Sequence, residues 1–111
     1  MKNLDLIRNR YLKDPLPVRL GNLAANLARI ASFSGSGKNR EAIKSLMEES
    51  KFFIEWTANE ASPEIQASLV ELQVKLALRE HSLAKPSFAI SQLCEESQAW
   101  SDEVLQSSGL I

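Results

Sequence analysis

The side chains best equipped for chemistry are few. His81 is the sole histidine and Cys94 the sole cysteine in a chain of 111 residues. A zinc centre draws three or four ligands from His, Cys and carboxylates. These two residues supply at most two, and no CxxC or HxxxH spacing adds others. A di-iron site in a helical bundle uses Glu-x-x-His pairs on two helices, whereas Glu80 and His81 are adjacent. A Cys–His nucleophilic pair works best with a third group orienting the base, and none is evident, so Cys94 reads as a small core residue. The acidic pairs Glu48-Glu49, Glu95-Glu96 and Asp102-Glu103 place neighbours on diverging sides of a helix, which suits solvated faces rather than a carboxylate pair. No catalytic residue, metal or cofactor is therefore expected.

Two basic features point towards anions. Ser34 to Asn39 reads SGSGKN, a loop with the flavour of a phosphate cradle. A P-loop requires G-x-x-x-x-G-K-[ST] after a strand. Here the glycines are too close together, Asn39 follows the lysine, and a helix precedes the loop. Lys38 and Arg40, beside the amides of the next helix N-terminus, remain as candidate anion contacts. Charge is also uneven. Residues 1–44 carry nine Lys/Arg against three Asp/Glu, a surplus of six positive charges, and residues 45–111 carry four against eleven, a surplus of seven negative charges. The expected explanation is pairing of the two halves across the fold or across a dimer. The basic set Arg8, Arg10, Lys13, Arg19, Arg29, Lys38 and Arg40 could meet phosphates, but only Tyr11 interleaves as an aromatic, which disfavours nucleic acid.

These residues must be positioned by helices. Ala and Leu are abundant and β-branched residues sparse, a balance that favours helix. The length suits one domain, spanning residues 1–111. No stretch approaches the roughly 20 apolar residues that span a bilayer. The charged N-terminus lacks a signal-type apolar region, and the lone cysteine gives no sign of an oxidising compartment. A cytoplasmic protein without a membrane segment is expected.

The periodicities predict a short helix over Asn3 to Lys13, with Leu4, Ile7 and Tyr11 on one face. A second runs from Pro15 to Ser34, with Asp14 able to cap it, Leu16, Leu20, Leu23, Leu27 and Ile30 as its apolar stripe, and Gly35 placed just past its end. Beside that stripe lie Gly21, Ala24, Ala25, Ala28, Ala31 and Ser32, small enough for a close helix crossing within the chain or in a dimer. Arg19, Asn22, Asn26 and Arg29 are assigned to its wet face. A third helix, capped by Asn39, runs from Arg40 to Thr57, with Phe52 and Trp56 flanking its stripe. They read as core or as partner anchors, since Trp is enriched in interface hot spots.

The fourth helix, Ser62 to Lys85, has Ser62 as N-cap, Pro63 at the first helical position and Pro86 at its end. Ile65, Leu69, Leu72, Leu76 and Leu83 form one stripe; Val70, Val74 and Ala77 form a second. So wide an apolar arc calls for neighbours on two sides and makes this the expected central element. The last helix is expected to start at a Ser87 cap and end at Gly109, with Leu110-Ile111 folding back. Its inward residues are Ile90, Leu93, Cys94, Ser97, Trp100, Val104 and Leu105. Short links imply antiparallel neighbours, hence an all-α, up-and-down antiparallel four-helix bundle with an additional short N-terminal helix.

The segments RLGNLAANLARIASFS (Arg19 to Ser34) and EESKFFIEWTA (Glu48 to Ala58), with the closing SGL of Ser108 to Leu110, resemble a family of small all-helical hypothetical proteins of cyanobacterial type. That resemblance implies no activity and assigns no site residue. The HEPN ribonucleases, another four-helix family, use Arg, four to six residues, then His. Arg79 stands only two positions before His81, and Lys75 occupies the sixth. The departure leaves room for a degenerate, nucleic-acid-regulating or toxin–antitoxin-type relative with Arg79 and His81 as a polar site. The leading expectation is a non-enzymatic bundle acting by homodimerisation or by binding another protein, with Gly21, Ala24, Ala25, Ala28, Phe52 and Trp56 as interface candidates.

Overall fold

Residues 3–36 and 39–109 are described by a computed structural model, and their regular structure is entirely helical. The elements are α1 (Leu4–Lys13), α2 (Leu16–Ser36), α3 (Arg40–Thr57), α4 (Pro63–Leu83) and α5 (Leu93–Ser108), with single 3₁₀ turns at Ala58–Glu60 and Ile90–Gln92. Lys38 and the Leu110-Ile111 fold-back lie outside the described residues.

The centre of the fold is α2, not the helix expected there. Leu20, Leu23, Leu27 and Ile30 are fully buried. Part of the small-residue row beside them, with Ala24 at its contact, meets α5, the helix with which α2 packs most extensively. Ala25 and Ser32 of the same row are exposed, and α3 also packs on α2. Ala24 and Ala31 are buried, and Ser101 Oγ of α5 donates to the Ala24 carbonyl at 2.7 Å. The anticipated close crossing thus occurs within the chain. Gly35 does not terminate α2, which continues to Ser36. A Cβ at Gly35 would sit 3.3 Å from Cys94 Sγ of α5, so its bareness serves this approach rather than a turn.

Ser62 Oγ accepts the Ile65 amide at the head of α4, with Pro63 in the first turn. Only Leu69, Leu72, Leu76 and Leu83 of this helix are buried. Val70, Val74 and Leu78 stand 50%, 56% and 62% exposed, and Ala77 is exposed with them. The second apolar stripe therefore stands largely in solvent. Apolar residues need not all be covered in a small domain, and the helix with the smallest side chains has taken the crowded position.

The last helix begins at Leu93 rather than at Ser87. Arg40 holds the preceding link, its two terminal nitrogens donating to the carbonyls of Leu83 at 2.7 Å and Phe88 at 3.0 Å. Gly109 closes α5 in the left-handed conformation, φ 79°, a backbone region that glycine enters without steric penalty.

The expected wet face of α2 also differs. Arg19 and Asn26 are buried, each because a partner satisfies it. Arg19 Nε donates to the Asp14 carbonyl, and its two terminal nitrogens donate to Glu60 Oε2 at 2.6 Å and Oε1 at 3.1 Å. Asn26 Nδ2 donates to Glu49 Oε1 at 2.9 Å.

Tyr11 docks α1. Its ring stacks on Phe53 with centroids 4.1 Å apart and lies 5.9 Å from the Trp56 ring. Its hydroxyl meets Thr57 Oγ1 at 2.7 Å and donates to the Arg19 carbonyl at 3.1 Å. Burial penalises the phenolate and pushes the ionisation from 10.0 up to about 12, although the Thr57 hydrogen bond pulls the other way. A raised value in the folded state means stability present below the ordinary value and lost as pH rises through the folded one. We expect unfolding to become easier between pH 10 and about 12, by about 3 kcal/mol in total. As the chain has one tyrosine, tyrosinate absorbance against pH, read beside helical circular dichroism, checks this directly. An ionisation near the free-phenol value with the helices intact would contradict it.

Candidate functional site

Two surface features stand out. The first is a polar groove of about 360 Å³ between α1, α2 and α3, within the size range of small-molecule sites. Arg10, Tyr11 and Asp14 line it from α1 and its C-cap, Asn22, Asn26 and Arg29 from α2, and Glu49 and Phe53 from α3. The charges are held apart by amides. Asn26 Oδ1 accepts Arg29 Nη1 at 2.8 Å while its Nδ2 holds Glu49. Asn22 Nδ2 reaches Asp14 Oδ2 at 3.4 Å. Asn22 and Asn26 stand four apart and so share a face of α2. Among the described residues, no ion pair joins Arg10 or Arg29 to any carboxylate.

The groove rests on a rigid node. Arg19 grips both oxygens of Glu60 and, through Nε, the Asp14 backbone beside the groove. This fork-to-carboxylate pairing adds orientation as well as attraction. The hydrogen bond from Arg19, together with its charge, holds the Glu60 carboxyl below its ordinary 4.5, and the same contact raises Arg19 further.

The second feature is apolar. The exposed row Val70, Val74 and Leu78 runs along the outer side of α4. A groove of about 390 Å³ opens between α4 and α5, with Ile65, Leu69 and Leu72 on one wall, Trp100 and Val104 on the other, and Leu20 of α2 among the lining residues.

The residues singled out in the sequence are scattered among these features. Ala24 is covered by the α5 crossing, Gly21 and Ala28 are partly buried, and Ala25 is exposed on the rim of the polar groove. Phe52 and Trp56 are half-buried and stack on each other, centroids 5.6 Å apart. Arg40 is engaged by backbone carbonyls. Arg79 clasps Glu96 of α5 through Nε at 2.6 Å and Nη2 at 2.9 Å, while His81 is exposed. Cys94 is half-buried against α2. Among the described residues, no three His, Cys, Asp or Glu side chains gather as metal ligands would, and no helix is long and apolar enough to cross a membrane.

The polar groove was not anticipated. Its one sequence signal is the Asn22, Asn26, Arg29 row, polar at helical spacing on a helix otherwise apolar or small. Within the chain, ion pairing among the described residues does little to join the basic and acidic halves. Arg19–Glu60 is the only ion pair among the described residues that joins them; Lys51–Glu80, Lys75–Glu71 and Arg79–Glu96 all lie within 45–111.

Comparison with protein-family models, curated proteins and solved structures returns no match.

Because Glu60 is held below its ordinary value, the Arg19 contact stabilises the fold above pH 4.5 and is lost as pH falls through the lowered folded value. Glu60→Gln should be less stable than wild type at neutral pH, since the buried guanidinium loses its counter-charge. The gap should close on acidification. Urea midpoints of both proteins across acidic pH check this, and a gap that persists in acid would contradict the assignment.

Proposed function

We propose that the chain acts through association, as a homodimer joined along α4, and has no enzymatic role. The observation that carries this is the exposed Val70, Val74 and Leu78 row. Water-facing apolar side chains repeated once per turn on one helix suit contact with another helix. A second copy is the favoured occupant because the row is self-complementary. A two-fold axis at Val74 would set Val70 against Leu78 of the copy and Val74 against itself. On one flank, Glu71 and Lys75 already pair at 3.2 Å within the helix. Reversal across the axis brings this acid-then-base order against its inverse, which is electrostatically matched.

The interface candidates drawn from α2 give way to α4 in this reading, because α5 already covers Ala24 and Ala31. As to architecture, we propose that α2 to α5 form an up-and-down four-helix bundle left open along one edge. The extensive α2–α5, α2–α3 and α3–α4 packing supports three sides of the ring, and the groove between α4 and α5 is the open fourth. The resemblance to small helical proteins of cyanobacterial type fits this reading and adds no residue role.

The alternative, a degenerate HEPN-like regulator of nucleic acid, draws on the unpaired cations of α1. It is weakened at Arg79, whose guanidinium is committed to Glu96. A gel shift at low salt, where phosphate contacts are strongest, tests it.

Dimerisation is tested by sedimentation equilibrium over a wide concentration range. The contact is narrow, so a dissociation constant on the order of micromolar or weaker is expected. Val74→Glu should abolish dimer formation and leave the melting temperature nearly unchanged at concentrations below the dissociation constant, because the position is solvent-facing in the monomer. A monomeric mass at every concentration would overturn the proposal.

A further inference from the structure

We infer that the groove between α1, α2 and α3 is a binding site for a small organic anion that also bears hydroxyl or amine groups, in the manner of a hydroxy acid or amino acid. Charge gives the first reason. Arg10 has no hydrogen-bond or ion-pair partner among the described residues, and Arg29 engages the protein through Nη1 alone. Two arginines therefore line one groove with donors to spare, and a guanidinium fork is suited to carboxylate oxygens. The exposed Arg8 and Lys13 on α1, also without ion pairs, add to the positive potential nearby.

The carboxylates supply the second. Asp14 and Glu49 line the same groove and would repel a ligand that offered oxygen acceptors alone. Each accepts a hydrogen bond from one amide, Asn22 or Asn26, which leaves lone pairs unused. A ligand with an anionic end for Arg10 and Arg29 and an O–H or N–H for Asp14 and Glu49 satisfies both sets at once.

Construction gives the third. Asn26 is 2% exposed, yet it spends both ends of its amide on holding Arg29 and Glu49 side by side without direct contact. A direct ion pair would have neutralised the two charges. The buried amide keeps both available. Arg19, by gripping the Asp14 backbone and Glu60, fixes the α1–α2 corner that forms one end of the groove.

Arginine side-chain N–H resonances, followed by NMR, report the site. D-glycerate, with a carboxylate and two hydroxyls, is titrated against propionate, which has the carboxylate alone. Glycerate should shift the Arg10 and Arg29 signals saturably and bind more tightly than propionate. Arg10→Gln, which removes no contact within the protein, should weaken glycerate by about tenfold or more, the usual effect of losing a charged hydrogen-bonding arm. Arg8→Gln, on the same helix but not lining the groove, should change little. Asp14→Asn should narrow the preference for glycerate over propionate. Three outcomes overturn the inference: no saturable shift with either acid, equal loss in the Arg8 and Arg10 variants, or Arg10 shifts produced only by a single-stranded oligonucleotide.

Discussion

The fold depends on how near α5 can come to α2. A serine hydroxyl on one helix reaching the backbone carbonyl of another requires that little lie between them, and Ser101 does this at Ala24. The buried Ala24 and Ala31 along α2 leave room for the approach; the absence of a Cβ at Gly35, where Cys94 Sγ would be crowded, extends it towards the end of the helix. Interiors are packed at crystal-like density, so bulk added along such a seam has nowhere to go. Once α2 is enclosed by α3 and α5, α4 is left at the side, held by its leucine stripe and by polar ties from Arg79 to Glu96 and from Glu80 to Lys51.

Enclosure of α2 also explains its buried polar groups. A helix surrounded on most sides cannot direct every polar residue to water. Arg19 and Asn26 are accommodated because partners lie within reach on other elements: Glu60 after α3, and Glu49 on α3. These contacts join segments distant in sequence, as does the Tyr11 hydroxyl, which lies against both Thr57 and the Arg19 carbonyl. The α1–α2 corner, the end of α3 and the turn that follows it are thus tied together by hydrogen bonds rather than by apolar packing alone. Burying a charge this way stabilises little in itself, since desolvation offsets most of the attraction. Its effect is on geometry, which a groove needs.

Helix positions and most core residues were readable from periodicity, because the spacing of leucines reports which face is covered. Leu20, Leu23, Leu27 and Ile30 behave as that spacing implies. Caps with local causes were readable too: Ser62 and Pro63 at α4, Gly109 after α5. Which apolar face finds a neighbour was not, since Val70, Val74 and Leu78 look as hydrophobic as the buried leucines and differ only in what stands opposite. The α4–α5 link is longer than its sequence implies, and Arg40, more than 40 residues away, holds it through the Leu83 and Phe88 carbonyls. The polar groove was hidden for the same reason: it joins residues of three helices, and no single segment contains its pattern.

The lopsided distribution of charge has a physical outcome at the level of the whole molecule. A formal net charge of −1 suggests near-neutrality, but among the described residues a single ion pair, Arg19–Glu60, joins the basic and acidic halves. With Arg8, Arg10 and Lys13 exposed on α1 and Glu95, Asp102 and Glu103 exposed on α5, opposite charge collects on different elements and gives the particle an electric moment. At low ionic strength, neighbours can align opposite ends despite weak monopole repulsion, and electrolyte suppresses this once the screening length falls to about 10 Å or less. Solubility should therefore rise on moderate addition of salt, the salting-in behaviour of strongly dipolar solutes.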